Sequence, residues 1–100
     1  MNIKRILLYY KYITIADPEG IKTWQSDLCS SLALSGRIIL ATEGINGTLC
    51  GTVEATEAYI TAMQAHQLFD GIDFKDSIVN GEHNYFPDLQ IKVKKEITNL

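Results

Sequence analysis

The chain has 100 residues, 46% of them hydrophobic and 21% charged, with a formal net charge of −3. Those figures describe one ordinary globular domain and exclude a disordered tail, a collagenous repeat or a disulfide-dense secreted scaffold. The negative balance argues against a strongly basic nucleic-acid binder and leaves only a local basic strip as a polyanion contact.

Residues 3–15, IKRILLYYKYITI, contain no Gly or Pro and are rich in β-formers. Both alternating sets, Ile6, Leu8, Tyr10, Tyr12 and Leu7, Tyr9, Lys11, Ile13, are largely apolar, which predicts a central strand covered on both faces. Lys4 and Arg5 precede only five apolar residues, Ile6 to Tyr10, before Lys11, too short for a signal peptide or a membrane span. Tyr10 and Tyr12 read either as core or inter-domain filler or as base-stacking platforms.

Asp17-Pro18-Glu19 opens a helix: Asp caps free N–H groups, Pro suits the first helical position and Glu favours the positive end of the dipole. Ile21, Trp24, Leu28 and Leu32 form one apolar stripe, and Gly36 is the expected stop. The acidic residues argue against an anion site at this helix start.

Arg37 to Thr52, RIILATEGINGTLCGT, is the most informative stretch. Two extended runs flank a Gly-rich loop, which predicts a hairpin. Asn46-Gly47 is the pair suited to a type I′ turn, and the reversal is expected there. Thr52 is the expected N-cap of a second helix, Val53 to about Gln67, with Val53, Thr56, Ile60 and Met63 inward. His66 reads as a solvated histidine near that helix end. Ile72–Val79 is the next expected strand, with Ile72, Phe74 and Ile78 on one side. Asn80-Gly81 turns the chain, and Pro87 keeps Phe86 extended. Leu89–Ile97 is the last expected strand, with Leu89, Ile91 and Val93 on one face and Gln90, Lys92 and Lys94 on the other. Lys92, Lys94 and Lys95 are either a solvated edge or a phosphate-contacting strip.

The order β-α-β-β-α-β, with one extra strand, is the split pattern of an α+β ferredoxin-like domain: an antiparallel sheet with two helices on one face. The other face then carries one apolar set of the first strand and is an expected docking surface.

No constellation for catalysis or metal binding is visible, and no cofactor motif. Cys29 and Cys50 lack C-x-x-C spacing and read as reduced, buried thiols of a cytoplasmic protein. The EGING loop lacks the Lys-Ser/Thr of a phosphate loop. Glu43 is either a general base or RNA contact, or a carboxylate that braces the loop. Acylphosphatases share the element order but place an Arg in the loop after the first strand, where this chain has Ala16-Asp17-Pro18-Glu19-Gly20.

Four stretches carry a family resemblance: Asp17-Pro18; the block from Leu40 to Thr48, LATEGINGT, with Gly51; Phe74-Lys75-Asp76-Ser77; and Ile91 to Ile97, IKVKKEI. Together they resemble the N-terminal, acylphosphatase-like domain of the rhodanese-related tRNA uridine 5-hydroxylases. Thr42 stands where that family commonly has Pro, and Asn80 to Tyr85 looks like an insertion. The resemblance implies a single accessory domain, residues 1–100, preceding a rhodanese domain in an oxygen-dependent enzyme that hydroxylates the wobble uridine of tRNA. The family's catalytic Cys lies in the rhodanese loop and matches neither Cys29 nor Cys50. This chain is therefore expected to be inactive alone and to bind tRNA or brace the rhodanese domain. Tyr10, Tyr12, Glu43, Asn46, Lys92, Lys94 and Lys95 are the candidate RNA or interface residues. The chain's abrupt end at Leu100 fits a domain boundary. The competing expectation is a free-standing ferredoxin-like small-molecule-binding or regulatory module, with a pocket near Glu43 and Asn46.

Overall fold

A computed structural model describes residues 3–82 and 85–96. The elements run β1 (Ile3–Tyr12), α1 (Pro18–Ser31), β2 (Ser35–Ala41), β3 (Gly44–Gly51), α2 (Val53–Gln64), β4 (Lys75–Asn80) and β5 (Leu89–Val93). The expected α+β, ferredoxin-like order is present. One five-stranded sheet has the order β4-β1-β3-β2-β5. The β4-β1-β3-β2 portion is antiparallel throughout. The added strand β5 runs parallel to β2, so the whole sheet is mixed.

Both helices cover one face. Leu7 and Tyr9 of β1, Ile38 and Leu40 of β2, Ile45 and Leu49 of β3, Cys29 of α1 and Tyr59 and Met63 of α2 form one buried cluster. Each fully buried aliphatic side chain here contributes roughly 1.5–3 kcal/mol. Leu89, Ile91 and Val93 pack against the same cluster, as their alternation requires. Polar groups inside it are paired. Arg5, 8% exposed, donates from Nε to Thr56 Oγ1 at 2.8 Å and reaches Glu57 at 2.8 Å and Asp76 at 3.5 Å. The Tyr59 hydroxyl donates to Gln25 Oε1 at 2.6 Å and is also hydrogen-bonded to the Tyr9 hydroxyl.

The caps formed where the sequence signalled them. Asp17 Oδ1 accepts from Gly20 N at 3.1 Å, with Pro18 in the first turn, and Thr52 Oγ1 accepts from Ala55 N at 3.0 Å. The expected ends differ. Helix α1 stops at Ser31, with Ala33 in the left-handed region (φ 55°), and Gly36 (φ 132°) lies inside β2. Its buried residues are Gln25 and Cys29, while Ile21, Trp24, Leu28 and Leu32 are half-buried against the core. Helix α2 stops at Gln64 and buries Thr56, Tyr59 and Met63. His66 therefore follows the helix. It is half-buried, its ring stacks on Trp24 with centroids 4.7 Å apart, and its Nδ1 accepts from Leu68 N at 3.1 Å. Ile72 is buried ahead of β4, and Ile78 on that edge strand is 60% exposed. His83, Asn84 and Ile97 lie outside the described residues.

The hairpin reverses at Thr42-Glu43, with Ala41 paired to Gly44, and not at Asn46-Gly47. A type I′ turn needs two left-handed residues, and among the described residues that region holds only Ala33 and Gly36. Asn46 and Gly47 instead sit in mid-strand, opposite Tyr10 and Tyr9 of β1. A Cβ at 47 would collide with Cζ and Oη of Tyr9. The glycine serves close packing across the sheet rather than a turn.

Candidate functional site: the open face of the sheet

Side chains alternate across a strand, so the register assigns every strand position to the helix face or the open face. Leu7 and Tyr9 are in the helix-side core, which puts Lys4, Ile6, Leu8, Tyr10 and Tyr12 on the open face. Three transverse rows follow from the pairing. Tyr10 of β1, Asn46 of β3, Ile39 of β2 and Lys92 of β5 form one. Lys75, Leu8, Thr48, Arg37 and Gln90 form the next. Tyr12, Gly44 and Ala41 form the third, nearest the hairpin turn.

The face is partly apolar. Leu8 and Tyr10 are each 46% exposed and Tyr12 is 55% exposed. Ile39 and Ala41 are buried here as a small cluster separate from the main core. The Tyr10 and Tyr12 rings meet edge to face, with centroids 5.2 Å apart and planes at 88°. The neighbouring Tyr12 hydroxyl, the main cause, and lesser contributions from burial and from the negative Glu43 push the Tyr10 phenol up to about 12. A cleft of about 310 Å³ lined by Leu8, Tyr9, Tyr10, Asp73 and Lys75 opens beside them.

The charge on this face is one-sided. Lys4, Arg37, Lys75 and Lys92 occupy strand positions of it, four of the nine Lys and Arg in the chain, and no described strand position of it holds a carboxylate. Acids stand at its rim: Glu43 on the turn, Asp73 before β4 and Asp88 before β5. The net negative charge of the chain is thus carried elsewhere.

Of the residues singled out from sequence, Tyr10, Tyr12, Asn46 and Lys92 come together on this face. The N–H of Lys94 donates to Leu40 O at 2.8 Å, one step past the ladder, and Lys95 lies in the bend that follows. Glu43 is at the hairpin turn, where its backbone carbonyl accepts from Ile13 N at 2.9 Å. Sequence reasoning missed Arg37, Lys75 and Lys4. They are scattered in sequence, and only strand pairing brings them beside Lys92; alternation within each strand is the one signal they leave.

Neither cysteine is placed for chemistry. Cys29 is buried in the core and burial pushes its thiol up to about 12; burial also raises that of Cys50. A raised thiol holds little thiolate. Among the described residues no cluster of three or more potential ligands for a metal ion occurs, and no helix is long and apolar enough to cross a membrane.

The family described as the UPF0176 acylphosphatase-like domain matches residues 4–97. Over 96 residues the chain is 45% identical to a protein of Shouchella clausii named tRNA uridine(34) hydroxylase, covering 96% of this chain and 29% of that protein. It is 48% identical over 96 residues to a protein of the same name from Enterococcus faecalis, covering 96% of this chain and 30% of that one. The chain thus spans about three tenths of the length of the curated relatives it matches. Among solved structures, BlrP1 BLUF superposes with a TM-score of 0.72 at 13% identity, covering 95% of this chain and 66% of the other. An acylphosphatase from Coxiella burnetii superposes at 0.57 and 12% identity, covering 91% and 94%. At such identities both speak for the fold alone.

Proposed function

The chain belongs to the family of the UPF0176 acylphosphatase-like domain, and from that membership we propose that it is the non-catalytic, tRNA-contacting domain of an oxygen-dependent tRNA wobble-uridine hydroxylase. The observation that carries this reading is the open sheet face: four cations and no carboxylate on its strand positions, around an exposed tyrosine pair. A polyanion is the complement of such a surface. The reacting groups lie outside this chain, in a rhodanese domain that follows it; the raised thiols of Cys29 and Cys50 support that division of labour.

The test is tRNA binding followed at rising salt. The wild-type chain binds weakly and its affinity falls steeply as salt increases. Lys92→Glu with Lys94→Glu lowers affinity and makes the salt dependence shallower by about 1.5 in log–log slope, the release of two phosphate contacts. Unchanged binding overturns the reading. A second role is favoured by the exposed apolar area of Leu8, Tyr10 and Tyr12: bracing the rhodanese domain. In that case amides of β1 and β3 gain protection from exchange when the following domain is present and no RNA is.

A further inference from the structure

Resting on the tRNA-contacting reading, we infer that the open face takes an unstacked, single-stranded stretch of RNA, with one base seated in the corner formed by Tyr10 and Tyr12, and that it discriminates against duplex. The ring geometry carries the argument. Two rings at 88° cannot both lie flat on the sheet. One offers its face while the other stands beside it as a wall. Such a corner accepts one planar base, stacked on one ring and bounded by the other. Both rings remain about half exposed, so a base reaches them without the fold opening.

The surroundings suit a nucleotide. Asn46, across the ladder from Tyr10, supplies an amide with both a donor and an acceptor for a base edge. Lys75 lies one strand from β1 on one side. Arg37 and Lys92 lie two and three strands away on the other. At about 4.8 Å per strand, the cations reach from roughly 5 Å on one side of β1 to about 14 Å on the other. A backbone laid across the strands meets positive charge on both sides of the tyrosine corner. Four-stranded sheets with aromatic residues on a bare face take two or three nucleotides in this way.

A duplex gains little here. Its bases are stacked inside, so Tyr10, Tyr12 and Leu8 would face only sugar and phosphate, and the apolar part of the surface would be desolvated against charge. The aromatic corner is therefore of use only to bases that are already unstacked.

The experiment compares a labelled eight-nucleotide single-stranded RNA with an eight-base-pair RNA duplex by fluorescence anisotropy, using the full chain. Single strand binding tighter than duplex is expected. Tyr10→Ala with Tyr12→Ala weakens single-strand binding by roughly 5- to 150-fold, leaves duplex binding unchanged and leaves the salt slope unchanged. Tyr10→Phe with Tyr12→Phe keeps the rings and stays within about twofold of wild type. Thermal melts of both double variants confirm that they fold. Duplex bound as tightly as single strand, with Lys92→Glu still weakening both, overturns this inference and leaves the tRNA reading standing. So does single-strand binding insensitive to the alanine pair. No salt-dependent binding of either RNA overturns both.

Discussion

The ring of Tyr9 lies over Gly47, its partner on the adjacent strand, so closely that position 47 has no room for a Cβ. That contact fixes the position of the Tyr9 hydroxyl, which is hydrogen-bonded to that of Tyr59 and so ties the sheet to α2. Gly47→Ala is expected to destabilise the fold by about 1–3 kcal/mol, because the obstacle is a buried ring with nowhere to move. Urea denaturation measures the loss. A double-mutant cycle with Tyr9→Leu gives a positive check: the alanine costs less once the ring is gone, and additive losses would show that the two residues are uncoupled.

The same contact explains which parts of the fold were legible beforehand. Asp17-Pro18 and Thr52 announced helix starts through local chemistry, and the structure uses both caps. The alternation of Leu89, Ile91 and Val93 identified the inner face of β5 because its cause is local too. Asn46-Gly47 misled because a turn pair and a strand glycine beneath an aromatic ring look identical in sequence; the ring that needs the glycine is 38 positions away. Gly36 misled for the same reason: a Cβ there would meet Leu49 Cα at 2.9 Å, a contact made by strand pairing and not by a helix end. The candidate site divides likewise. Tyr10, Tyr12 and Lys92 were visible as types in a strand pattern, whereas Arg37 and Lys75 join them only through the register.

Arg5 is expected to behave asymmetrically with its partners. Its guanidinium is almost fully enclosed, while the side chains of Glu57 and Asp76 are 60% and 51% exposed. Arg5→Ala removes hydrogen bonds to all three partners together with the packing of its stem, an expected loss of about 2–3 kcal/mol. Glu57→Gln or Asp76→Asn removes one screened contact and costs less than about 1 kcal/mol. Arg5→Lys does not restore stability, because a single ammonium cannot reproduce the fork. Equal losses from all the variants in urea would contradict this account.

On the open face, position should matter more than sequence clustering. Arg37 and Lys92 occupy ladder positions of that face, whereas Lys95 lies in the bend after β5. Arg37→Glu with Lys92→Glu is therefore expected to weaken tRNA binding at least tenfold at low salt. Lys95→Glu, a single charge reversal at the margin, is expected to change it less than threefold. Affinities measured at one fixed ionic strength decide the matter. If Lys95→Glu weakens binding as much as the Arg37/Lys92 pair, the contact runs along the chain's last residues and not across the sheet.

The buried tyrosine pair makes the fold sensitive to alkali. Burial is the main cause holding the Tyr9 and Tyr59 phenols well above their ordinary value. In the unfolded chain both titrate near 10. A folded value raised above the unfolded one gives stability that is fully present below about pH 10 and is lost as pH climbs toward the folded value. Each phenol contributes about 1.4 kcal/mol per pH unit in that window, so the pair removes roughly 2.7 kcal/mol per unit above pH 10. Where the total lies at the low end of the usual range, about 5 kcal/mol, the pair alone brings cooperative unfolding at about pH 12. Two of the five tyrosines should develop phenolate absorbance only within that transition. Tyr9→Phe keeps the ring over Gly47 and the bond from Tyr59 to Gln25 while deleting one titrating group. It should make the fall of urea-measured stability between about pH 10 and 12 shallower by about 1.4 kcal/mol per unit. Full ionisation of all five tyrosines before the circular dichroism changes would mean that the pair is reached by solvent in the folded state, and the slope of the Tyr9→Phe variant would then match wild type.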